Sequence, residues 1–596
     1  MAENVQQPND GYLIDYISGI EVKATPEEVD AVQVFSRILV EDYNYPKEYI
    51  QTRPQFHVKV RPSDVAKEYP VDISVFSEKD HNDNNISIIV ECKKKNRKDG
   101  RTQLQDYLTL SKARIGVWFN GQERFYIYKF NEPDGSVIFK DIPNIPKFGE
   151  SVNDIGALKR KDLIPTHNLK QTFKAIRNFL AANAVGATRD EVIAQQLINV
   201  IFCKIFDERW TSPENPVKFR RGFNDKESDV RKRIEDLFLS VKTKYREVFN
   251  NDESISLDDN SLAYIVGELQ NYCLIEAKRD VLSDAFETFI GHALKGGQGQ
   301  FFTPRNVVRM MVDMIDPKQK ETIIDPACGS GGFIIESLRH IWTIVREEGE
   351  KLGWPKEAIR EEEMDRANTC IRGIDKDYFL VKIAKSYMAI MGDGKGGIFC
   401  EDSLEKTENW NTATRQKIAL GSFDIVLANP PFGSKMPVTG SEKLSQFELA
   451  HKWTNKKGTN EWTKGKLSDK EAPQILFIER CYQLLKDGGR MAIILPEGVY
   501  GNHLLGYIRQ FLLKRGRVIA IVDIPIETFM PNTSTKTCIL LFQKLKQEDI
   551  PVDYPIYMAI AESCGHDRRG KETSSDDISK IASDFKKWKI EHKINF

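Results

Sequence analysis

Between about residues 300 and 545, short apolar runs alternate with longer helical patterns, and this alternation limits the fold more than any other feature. Strands are expected at 322–325, 370–375, 397–400, 424–428, 490–495, 518–525 and 536–543, with helices between them. A helix between two strands returns the chain to the same end of the sheet, so that the two strands run parallel. The pattern therefore predicts an α/β domain with a mostly parallel, doubly wound sheet.

The segments on either side have different patterns. Residues 1–135 combine helical and strand-like runs and predict an α+β domain, whereas residues 168–295 predict a helical domain. Residues 136–167 carry several prolines and are expected to be a partly irregular linker. The α/β domain is assigned to residues 296–545, and residues 546–596 are expected to be a polar tail with an amphipathic last helix.

Composition restricts the setting of the protein. The net charge is −1, so any nucleic-acid surface must be local or supplied by a partner. No apolar run approaches the roughly 20 residues of a membrane span, and no signal peptide is expected. The nine cysteines are scattered and form no C-x-x-C pair, which argues against a zinc site or a disulfide framework. We therefore expect a reduced, cytoplasmic setting.

A glycine-rich loop, DPACGSGGF at residues 325–333, follows the first expected strand of the α/β domain. Gly329 and Gly331 allow a ligand to approach the backbone, and the following helix offers free N–H groups at its N-terminus. Taken alone, such a loop is equally a simple turn or a site for another nucleotide. It lacks the Lys-Ser/Thr ending of a P-loop.

Two acidic residues follow at the ends of the next strands. Asp375 ends the second strand in GID, and Asp402 follows the third in EDSL. In doubly wound folds an acid at the first of these positions binds ribose hydroxyls, and the second is placed to meet an adenine ring. Taken alone, an acid at such a position is more often a solvated loop carboxylate, but the ordered series favours a nucleotide-like cofactor.

The tetrapeptide Asn429-Pro430-Pro431-Phe432 follows an apolar strand. Two prolines fix φ and remove two backbone N–H groups, so the turn is rigid and poor in donors. It presents an Asn amide, free carbonyls and an aromatic face. Two acceptors and a stacking ring suit an exocyclic amino group on a base. The tetrapeptide resembles the catalytic motif of amino-group DNA methyltransferases.

DPACGSGGF, GID, EDSL and NPPF, in this order, resemble the modification subunits of type I restriction–modification systems, which are adenine-N6 DNA methyltransferases. Residues 300–305 (QFFTPR) match the family motif that closes over the methionine part of the cofactor. The resemblance covers about residues 168–570. It implies a Rossmann-like methyltransferase domain with S-adenosylmethionine as cofactor. The implied cofactor-binding residues are Phe302, Thr303, Pro304, Asp325, Ala327, Gly329, Gly331, Asp375 and Asp402.

The resemblance also implies that Asn429, Pro430, Pro431 and Phe432 are catalytic. The Asn429 oxygen and the Pro430 carbonyl would accept both N6 hydrogens, which localises the lone pair of the amine for attack on the methyl group. The adenine must be flipped out of the duplex, with Phe432 stacking on it; a core aromatic is the alternative for this residue. Related tetrapeptides also serve RNA guanine, cytosine or protein glutamine, so adenine in DNA follows from the family resemblance.

Residues 433–472 form an expected insertion that interleaves aromatic and basic side chains: Phe447, Trp453, Trp462, Lys452, Lys456, Lys457, Lys464 and Lys466. This composition suits DNA backbone contact and base stacking, or simply a solvated insertion. Only about 50 residues follow residue 545, so we expect a separate specificity subunit to recognise the sequence. The resemblance implies a complex on double-stranded DNA with two copies of this chain, a restriction subunit as a further candidate partner, and no membrane.

In the N-terminal domain, Asp72, Glu91 and Lys93 lie on expected strands, and Gln103 and Tyr107 on an expected helix. Two strands that end in acids can converge on one hard cation, which takes carboxylate oxygens and keeps several waters. The basic run KKKNRK at residues 93–98 supplies positive charge for phosphate. The D…E-x-K pattern is short and common, so it is weak evidence by itself. Its place on two expected strands, followed by the helix of Gln103 and Tyr107, is what makes it informative.

This arrangement resembles the PD-(D/E)xK nuclease core at the N-terminus of type I restriction subunits. The resemblance implies that Asp72 and Glu91 hold Mg²⁺, that Lys93 orients the attacking water, and that the helix of Gln103 and Tyr107 braces DNA and site. Two alternatives stay open beside a methyltransferase subunit. One is a bifunctional subunit that also cleaves DNA with Mg²⁺. The other is a catalytically silent DNA-binding scaffold.

Overall fold

The computed structural model of the protein describes residues 8–59, 68–95, 97, 99–121, 123–132, 134–165, 169–185, 189–276, 303–391, 396–433, 437–456, 459, 461–530 and 533–596. The chain divides into two compact units, Met1–Arg246 with Asn250–Ala293, and Glu247–Phe249 with Leu294–Phe596. In the described part of the chain, no helix combines the length and the apolar composition that a membrane span requires.

A six-stranded sheet forms the first part of unit 1. Its strands are β1 (Ile50–Gln51), β2 (Ile73–Phe76), β3 (Ile86–Cys92), β4 (Ile115–Phe119), β5 (Arg124–Asn131) and β6 (Val137–Ile142), in the order β6-β5-β4-β3-β2-β1. Only β3 and β4 are parallel, and helix α2 (Arg101–Leu110) makes the crossover between them. Helix α1 (Gln33–Glu41) contributes Phe35 and Leu39 to the core.

The described residues of unit 1 then form the helices α3 (Leu169–Asn183), α4 (Asp190–Trp210), α5 (Glu227–Lys244) and α6 (Asp259–Leu269). Helix α4 is buried on most of its surface, which makes it the central helix. Arg124 of β5 forms a buried ion pair with Glu268 of α6, and Asn144 Nδ2 donates a hydrogen bond to the Gly267 carbonyl at 3.4 Å. The sheet and the helices of unit 1 therefore pack together, whereas the sequence analysis expected two domains joined by a linker.

Strand β6 lies inside the segment that was expected to be a linker. Its side chains alternate between half-buried and exposed, and it pairs with β5 at the edge of the sheet. The prolines on both sides of the strand led to the expectation of an irregular linker. Proline is, however, tolerated beside an edge strand.

An eight-stranded sheet forms unit 2. Its strands are β7 (Ile323–Asp325), β8 (Ile371–Asp375), β9 (Ile398–Cys400), β10 (Phe423–Ala428), β11 (Leu485–Pro496), β12 (Gly516–Ile524), β13 (Thr537–Lys544) and β14 (Tyr557–Ile560). The order is β9-β8-β7-β10-β11-β13-β12-β14, and only β13 runs antiparallel to its neighbours. This confirms the predicted α/β fold class with a mostly parallel sheet.

Helices cover this sheet: α7 (Arg305–Ile315), α8 (Gly332–Lys351), α9 (Lys356–Cys370), α10 (Tyr378–Met391), α11 (Pro473–Leu484), α12 (Gly506–Leu513) and α13 (Ile578–Glu591). The strand order reverses between β7 and β10. In open α/β sheets, ligands bind at the carboxyl ends of the strands beside such a reversal. The loops after β7 and β10 are therefore the expected location of a site.

The C-terminal residues are part of this unit rather than a polar tail. Strand β14 extends the sheet beside β12, and Tyr557 of β14 packs on Phe585 and Trp588 of α13, with ring centroids 5.2 and 5.5 Å apart. The sequence prediction missed β14 because Met558 and Ile560 are exposed, so the strand is short and lacks a conventional buried pattern.

The described residues also form short two-stranded sheets: Tyr12–Ile14 with Glu21–Lys23, Phe56–Lys59 with Glu68–Val71, Val438–Thr439 with Lys470–Glu471, His451–Asn455 with Trp462–Leu467, and Cys564–His566 with Glu572–Asp576.

His340 of α8 lies between two carboxylates of α7 and its end. Its Nδ1 is 3.8 Å from Asp313 Oδ1, and its Nε2 is 3.5 Å from Asp316 Oδ1. Burial opposes the charged ring, but the two acids outweigh it and raise the pKa of His340 to about 9. Because this pKa lies above the ordinary value of 6.5, the stabilisation is complete below about pH 6.5 and is lost as the pH rises through about 9.

We therefore expect His340→Gln to lower the free energy of unfolding by on the order of 1–2 kcal/mol at pH 6, and by much less at pH 10. Urea denaturation at the two pH values measures the difference. An equal loss at both values would show that the imidazole contributes only by packing.

Candidate active site

The loop after β7 begins with a buried acid. Asp325 Oδ1 accepts a hydrogen bond from the Ala327 N–H at 3.0 Å, and the Cys328 N–H donates to the Ile374 carbonyl of β8 at 2.9 Å. Burial raises the pKa of Asp325 well above its ordinary value, and the nearby Asp375 adds to the increase. These hydrogen bonds fix the start of the loop to the edge of the sheet.

The glycine-rich part of the loop uses left-handed backbone. Gly329 has φ +53° and open space where a Cβ would lie, and Gly331 has φ +92° with that position 3.2 Å from the Ala384 side chain. The Gly329 N–H donates to Asp375 Oδ2 at 2.9 Å, which joins the loop to the end of β8. Only glycine combines this backbone with an open approach for a ligand.

Asn429 follows β10 on the other side of the strand reversal. Its Nδ2 donates to Thr303 Oγ1 at 2.9 Å. Its Oδ1 is buried and has no hydrogen-bond partner among the residues that the structure describes. A buried acceptor without a partner costs about 1–3 kcal/mol, so this oxygen is poised for a donor from a ligand.

Two neighbouring cavities contain most of the predicted residues. The larger, of about 590 Å³, is lined by Ala327, Asp375, Asp402, Pro431 and Phe432. The smaller, of about 50 Å³, is lined by Thr303, Asp325, Ala327, Gly329 and Asn429. Ala327 borders both, so the loop after β7 separates a large chamber from a small recess. The larger volume lies within the usual range for small-molecule sites.

Some predicted residues do not line either cavity. Pro304 directly precedes α7, and Gly331 directly precedes α8. Pro430, the second residue of the tetrapeptide, is buried. Phe302 lies outside the described residues. The Phe432 ring, at the wall of the larger cavity, meets the buried Phe529 edge to face at 6.3 Å. Pro304, Gly331 and Pro430 therefore shape the backbone around the cavities.

Several residues of the larger cavity were not predicted from the sequence: Lys376, Glu401, Pro473, Phe477, Thr533 and Thr535. They come from segments far apart in the chain, and none belongs to a recognisable motif except Lys376 and Glu401, which adjoin predicted acids. Beside them, Lys443 of the 433–472 insertion contacts Asp402 Oδ2 at 2.6 Å and Glu405 at 3.3 Å. The insertion is therefore tied to the cavity by an ion pair.

In unit 1 the five residues of the nuclease-like pattern also come together. Lys93 Nζ donates to Glu91 Oε1, and to Gln103 Oε1 at 3.1 Å. Gln103 Nε2 donates to the Tyr107 hydroxyl at 2.5 Å. Asp72 lies in the break before β2, where its Oδ2 accepts the Cys92 N–H at 2.7 Å. The strand ends and α2 thus converge as the sequence pattern predicted.

The two acids of this cluster are hard to ionise. Burial raises the pKa of Asp72 to about 6, and burial together with the charge of Asp72 raises the pKa of Glu91 to about 7. The charge of Glu27 adds to both increases. The described residues contain no group of three or more His, Cys, Asp or Glu side chains placed to hold a metal ion.

Comparison with known proteins identifies the fold of unit 2. The family described as N-6 DNA Methylase matches residues 277–596. The chain belongs to the N-6 DNA methylase family. In the same chain, the family described as Type I restriction enzyme R protein N terminus (HSDR_N) matches residues 26–146, which contain the acidic cluster of unit 1.

Curated relatives of this N-6 DNA methylase carry similar descriptions. The type I restriction enzyme EcoEI methylase subunit of Escherichia coli is 27% identical over 370 residues, which cover 61% of this chain and 62% of the relative. The type II restriction enzyme and methyltransferase RM.BcgI of Heyndrickxia coagulans is 22% identical, covering 52% of this chain and 41% of the relative. The chain thus spans less than two thirds of the length of either relative.

Among solved structures, the type I restriction–modification system methyltransferase subunit from Streptococcus thermophilus is similar. It is 20% identical and has a TM-score of 0.49, covering 72% of this chain and 94% of that one.

Proposed function

We propose that this N-6 DNA methylase transfers a methyl group from S-adenosylmethionine to the N6 atom of a flipped adenine in DNA, as the methyltransferase subunit of a restriction–modification or related phage-defence system. The observation that carries the proposal is the buried Asn429 Oδ1, which has no hydrogen-bond partner among the described residues and lies beside a cavity bounded by a glycine-rich loop. Family membership and the type I methylase relatives support the choice of adenine in DNA.

The residues around the cavities fit S-adenosylmethionine. Each carboxylate oxygen of Asp375 accepts one backbone N–H and retains capacity for another hydrogen bond, which suits ribose hydroxyls. We assign Asp402, which also lines the larger cavity, to the adenine ring of the cofactor. The recess between Gly329 and Asn429 is assigned to the methionine part, with Thr303 at its wall. When bound, the cofactor supplies a methyl group activated by its sulfonium charge.

The tetrapeptide would hold the substrate amine. An aromatic amine is a weak nucleophile because its lone pair is delocalised into the ring. Asn429 Oδ1 and the Pro430 carbonyl would accept its two hydrogens and localise the lone pair on nitrogen, and positioning for in-line attack supplies most of the remaining effect. We assign Phe432 to stacking on the flipped base, from its place at the cavity wall.

A separate specificity subunit and a second copy of this chain are the partners we propose, with double-stranded DNA as substrate in a cytoplasmic setting. A restriction subunit is a further candidate partner. The support is the family resemblance and the type I methylase subunits among the relatives.

A second activity is favoured by the acidic cluster of unit 1. We propose that Asp72 and Glu91 hold Mg²⁺ and that Lys93 orients the water for DNA cleavage, as in a bifunctional subunit. Mg²⁺ is commonly held by one or two carboxylates together with waters and phosphate oxygens, which two acids can satisfy. The match to the restriction-subunit N terminus supports this assignment, as does a relative described as both restriction enzyme and methyltransferase. A silent docking module is the alternative for unit 1.

The experiment that tests the methyltransferase function compares the genome of the host with and without this protein by long-read sequencing. We expect one sequence motif to gain N6-methyladenine when the wild-type chain is present. Complementation with the Asn429→Ala variant is expected to leave that motif unmethylated, whereas the exposed-residue control Asn409→Ala restores it. If no motif differs between the strains, the protein is a scaffold rather than a methyltransferase.

A further inference from the structure

A hairpin in the insertion carries most of its positive charge. We define the lysine hairpin as residues 451–467, formed by the strands His451–Asn455 and Trp462–Leu467. In a chain of net charge −1, these seventeen residues contain five lysines (Lys452, Lys456, Lys457, Lys464 and Lys466) and a single acid, Glu461. We propose that the lysine hairpin binds the phosphate backbone of the duplex beside the base that enters the larger cavity, an inference that rests on the proposed function.

The aromatic residues of the hairpin are its anchor. Trp453 stacks on Tyr507 with ring centroids 5.5 Å apart and planes at 10°, and Trp462 meets the same ring at 5.8 Å. Gln510 of α12 binds the backbone of Trp462 twice, accepting from its N–H at 2.8 Å and donating to its carbonyl at 2.9 Å. Both indoles are therefore engaged with α12, and Phe447 is fully buried.

These interactions change the sequence-based interpretation of the insertion. Phe447, Trp453 and Trp462 were candidates for stacking on bases. The Trp453 and Trp462 rings pack instead on Tyr507 and fix the hairpin against α12, whereas Phe447 is buried in the core outside the hairpin. The part of the hypothesis that survives is electrostatic attraction to the DNA backbone.

The described lysine side chains of the hairpin lie at the protein surface. Lys452, Lys456, Lys464 and Lys466 are exposed, and Lys457 lies outside the described residues. Lys456 is 3.9 Å from Glu461 in a highly exposed pair, which contributes little. Within the described residues, the other three have no carboxylate within 4.0 Å that would neutralise them. These exposed ammonium groups, which no carboxylate of the described residues neutralises, complement a polyanion.

The insertion starts and ends at the larger cavity. The short strands Val438–Thr439 and Lys470–Glu471 pair with each other, and Val438 lines the cavity. Lys443, between the first of these strands and the hairpin, contacts Asp402 at the cavity wall. The hairpin is thus carried by a segment whose two ends lie at the larger cavity, where Phe432 is assigned to stacking on the flipped base. DNA positioned to insert a base there would bring its phosphates to this segment.

Duplex DNA fits this surface better than an acidic protein segment. It presents one negative charge per roughly 1.7 Å of helix axis, so a row of lysines meets phosphates whatever the sequence. Lysines that bind phosphates in this way supply affinity and leave sequence recognition to other groups. This division agrees with a chain that relies on a separate specificity subunit.

The test uses the full chain and a duplex of arbitrary sequence. In one variant Lys452, Lys456, Lys464 and Lys466 are all replaced by glutamine. In the matched control the exposed lysines Lys320, Lys351, Lys356 and Lys417 are replaced in the same way. Binding constants are measured across a series of salt concentrations, and calorimetry measures the affinity of each protein for S-adenosylmethionine.

In the hairpin variant we expect the plot of log binding constant against log salt concentration to become less steep. The magnitude of its slope should fall by about 0.9 for each phosphate no longer neutralised, or by about 2–4 in total. The control variant should keep the wild-type slope. Cofactor affinity should be the same in all three proteins. An unchanged slope, or an equal decrease in the control, would overturn the proposal. Methyl transfer is measured separately. A wild-type chain that binds DNA through the hairpin but transfers no methyl group would refute the proposed methyltransferase activity and leave the proposed DNA-binding surface standing.

Discussion

Replacement of Asn429 by alanine is expected to lower the rate of methyl transfer by at least about 100-fold, which corresponds to about 2.7 kcal/mol of transition-state stabilisation. The Asn429 oxygen is a buried acceptor without a partner among the described residues, and the variant removes it while leaving the glycine-rich loop intact. Affinity for S-adenosylmethionine should therefore remain near the wild-type value. Single-turnover transfer of labelled methyl groups and calorimetry separate the two quantities.

Thr303 provides a finer test of the same idea. Its hydroxyl accepts the Asn429 Nδ2 hydrogen at 2.9 Å, which orients the amide so that the oxygen remains available. Thr303→Val removes this constraint, and in a flipped amide the NH₂ group would face the substrate amine. We expect roughly a 10-fold decrease in methyl transfer, because a flip costs little once no partner distinguishes the two ends. Thr303→Ser keeps the hydroxyl and should retain most of the activity.

The control for both variants is Asn409→Ala, which removes an exposed amide from the same unit. Methylation by Asn429→Ala at a rate close to wild type would refute the assignment of the catalytic acceptor. If Thr303→Val and Thr303→Ser reduced activity equally, Thr303 would act through its size and not through its hydroxyl.

Much of this site could be predicted from the sequence because parallel strands end at one edge of a sheet. Asp325, Asp375 and Asn429 follow three neighbouring strands, so strand pairing alone brings them within reach of one ligand. The glycines could also be predicted, because a tight turn between a strand and a helix needs left-handed backbone. In unit 1, two strand ends and a facing helix bring Asp72, Glu91 and Lys93 together in the same way.

Other parts depend on tertiary packing that periodicity does not encode. Lys443 reaches Asp402 from an insertion, and Thr533 and Thr535 reach the cavity from the loop before β13. The two tryptophans of the lysine hairpin show a related limit. A strand pattern says that Trp453 faces one side, but only the position of Tyr507 on α12 decides that this side is the interior. Strand β14 was missed because an edge strand has little buried surface to mark it.

The buried acids of unit 1 lead to a second large effect, a dependence of Mg²⁺ binding on pH. The pKa of Asp72 is raised to about 6 and that of Glu91 to about 7, both chiefly by burial. A carboxylate must lose its proton before it binds a metal ion, so Mg²⁺ competes with protons below these values. We expect the affinity for Mg²⁺ to rise by at least about 10-fold between pH 6 and pH 8, as measured by calorimetry on the full chain.

Cleavage depends on the same residues. Asp72→Asn and Lys93→Gln should each abolish Mg²⁺-dependent cutting of DNA in the presence of the specificity partner, while methyl transfer continues. Glu132→Gln, an exposed change in the same unit, is the matched control and should alter neither. If wild-type protein cuts no DNA under any metal condition, unit 1 is a docking module, and its acids require a structural explanation.

The stability of unit 1 should then show the cost of keeping these acids buried. Their pKa values in the folded protein lie above the ordinary values of 3.8 and 4.5, so folding favours the protonated forms. That contribution is complete below about pH 4 and is lost as the pH rises through about 6 and 7. At pH 8 an ionised Asp72 therefore opposes folding, and Asp72→Asn should stabilise the protein by on the order of 1–2 kcal/mol, but not at pH 4. Thermal unfolding at both pH values measures this, and a variant that is less stable than wild type at pH 8 would show that Asp72 is retained for the fold and not for a metal ion.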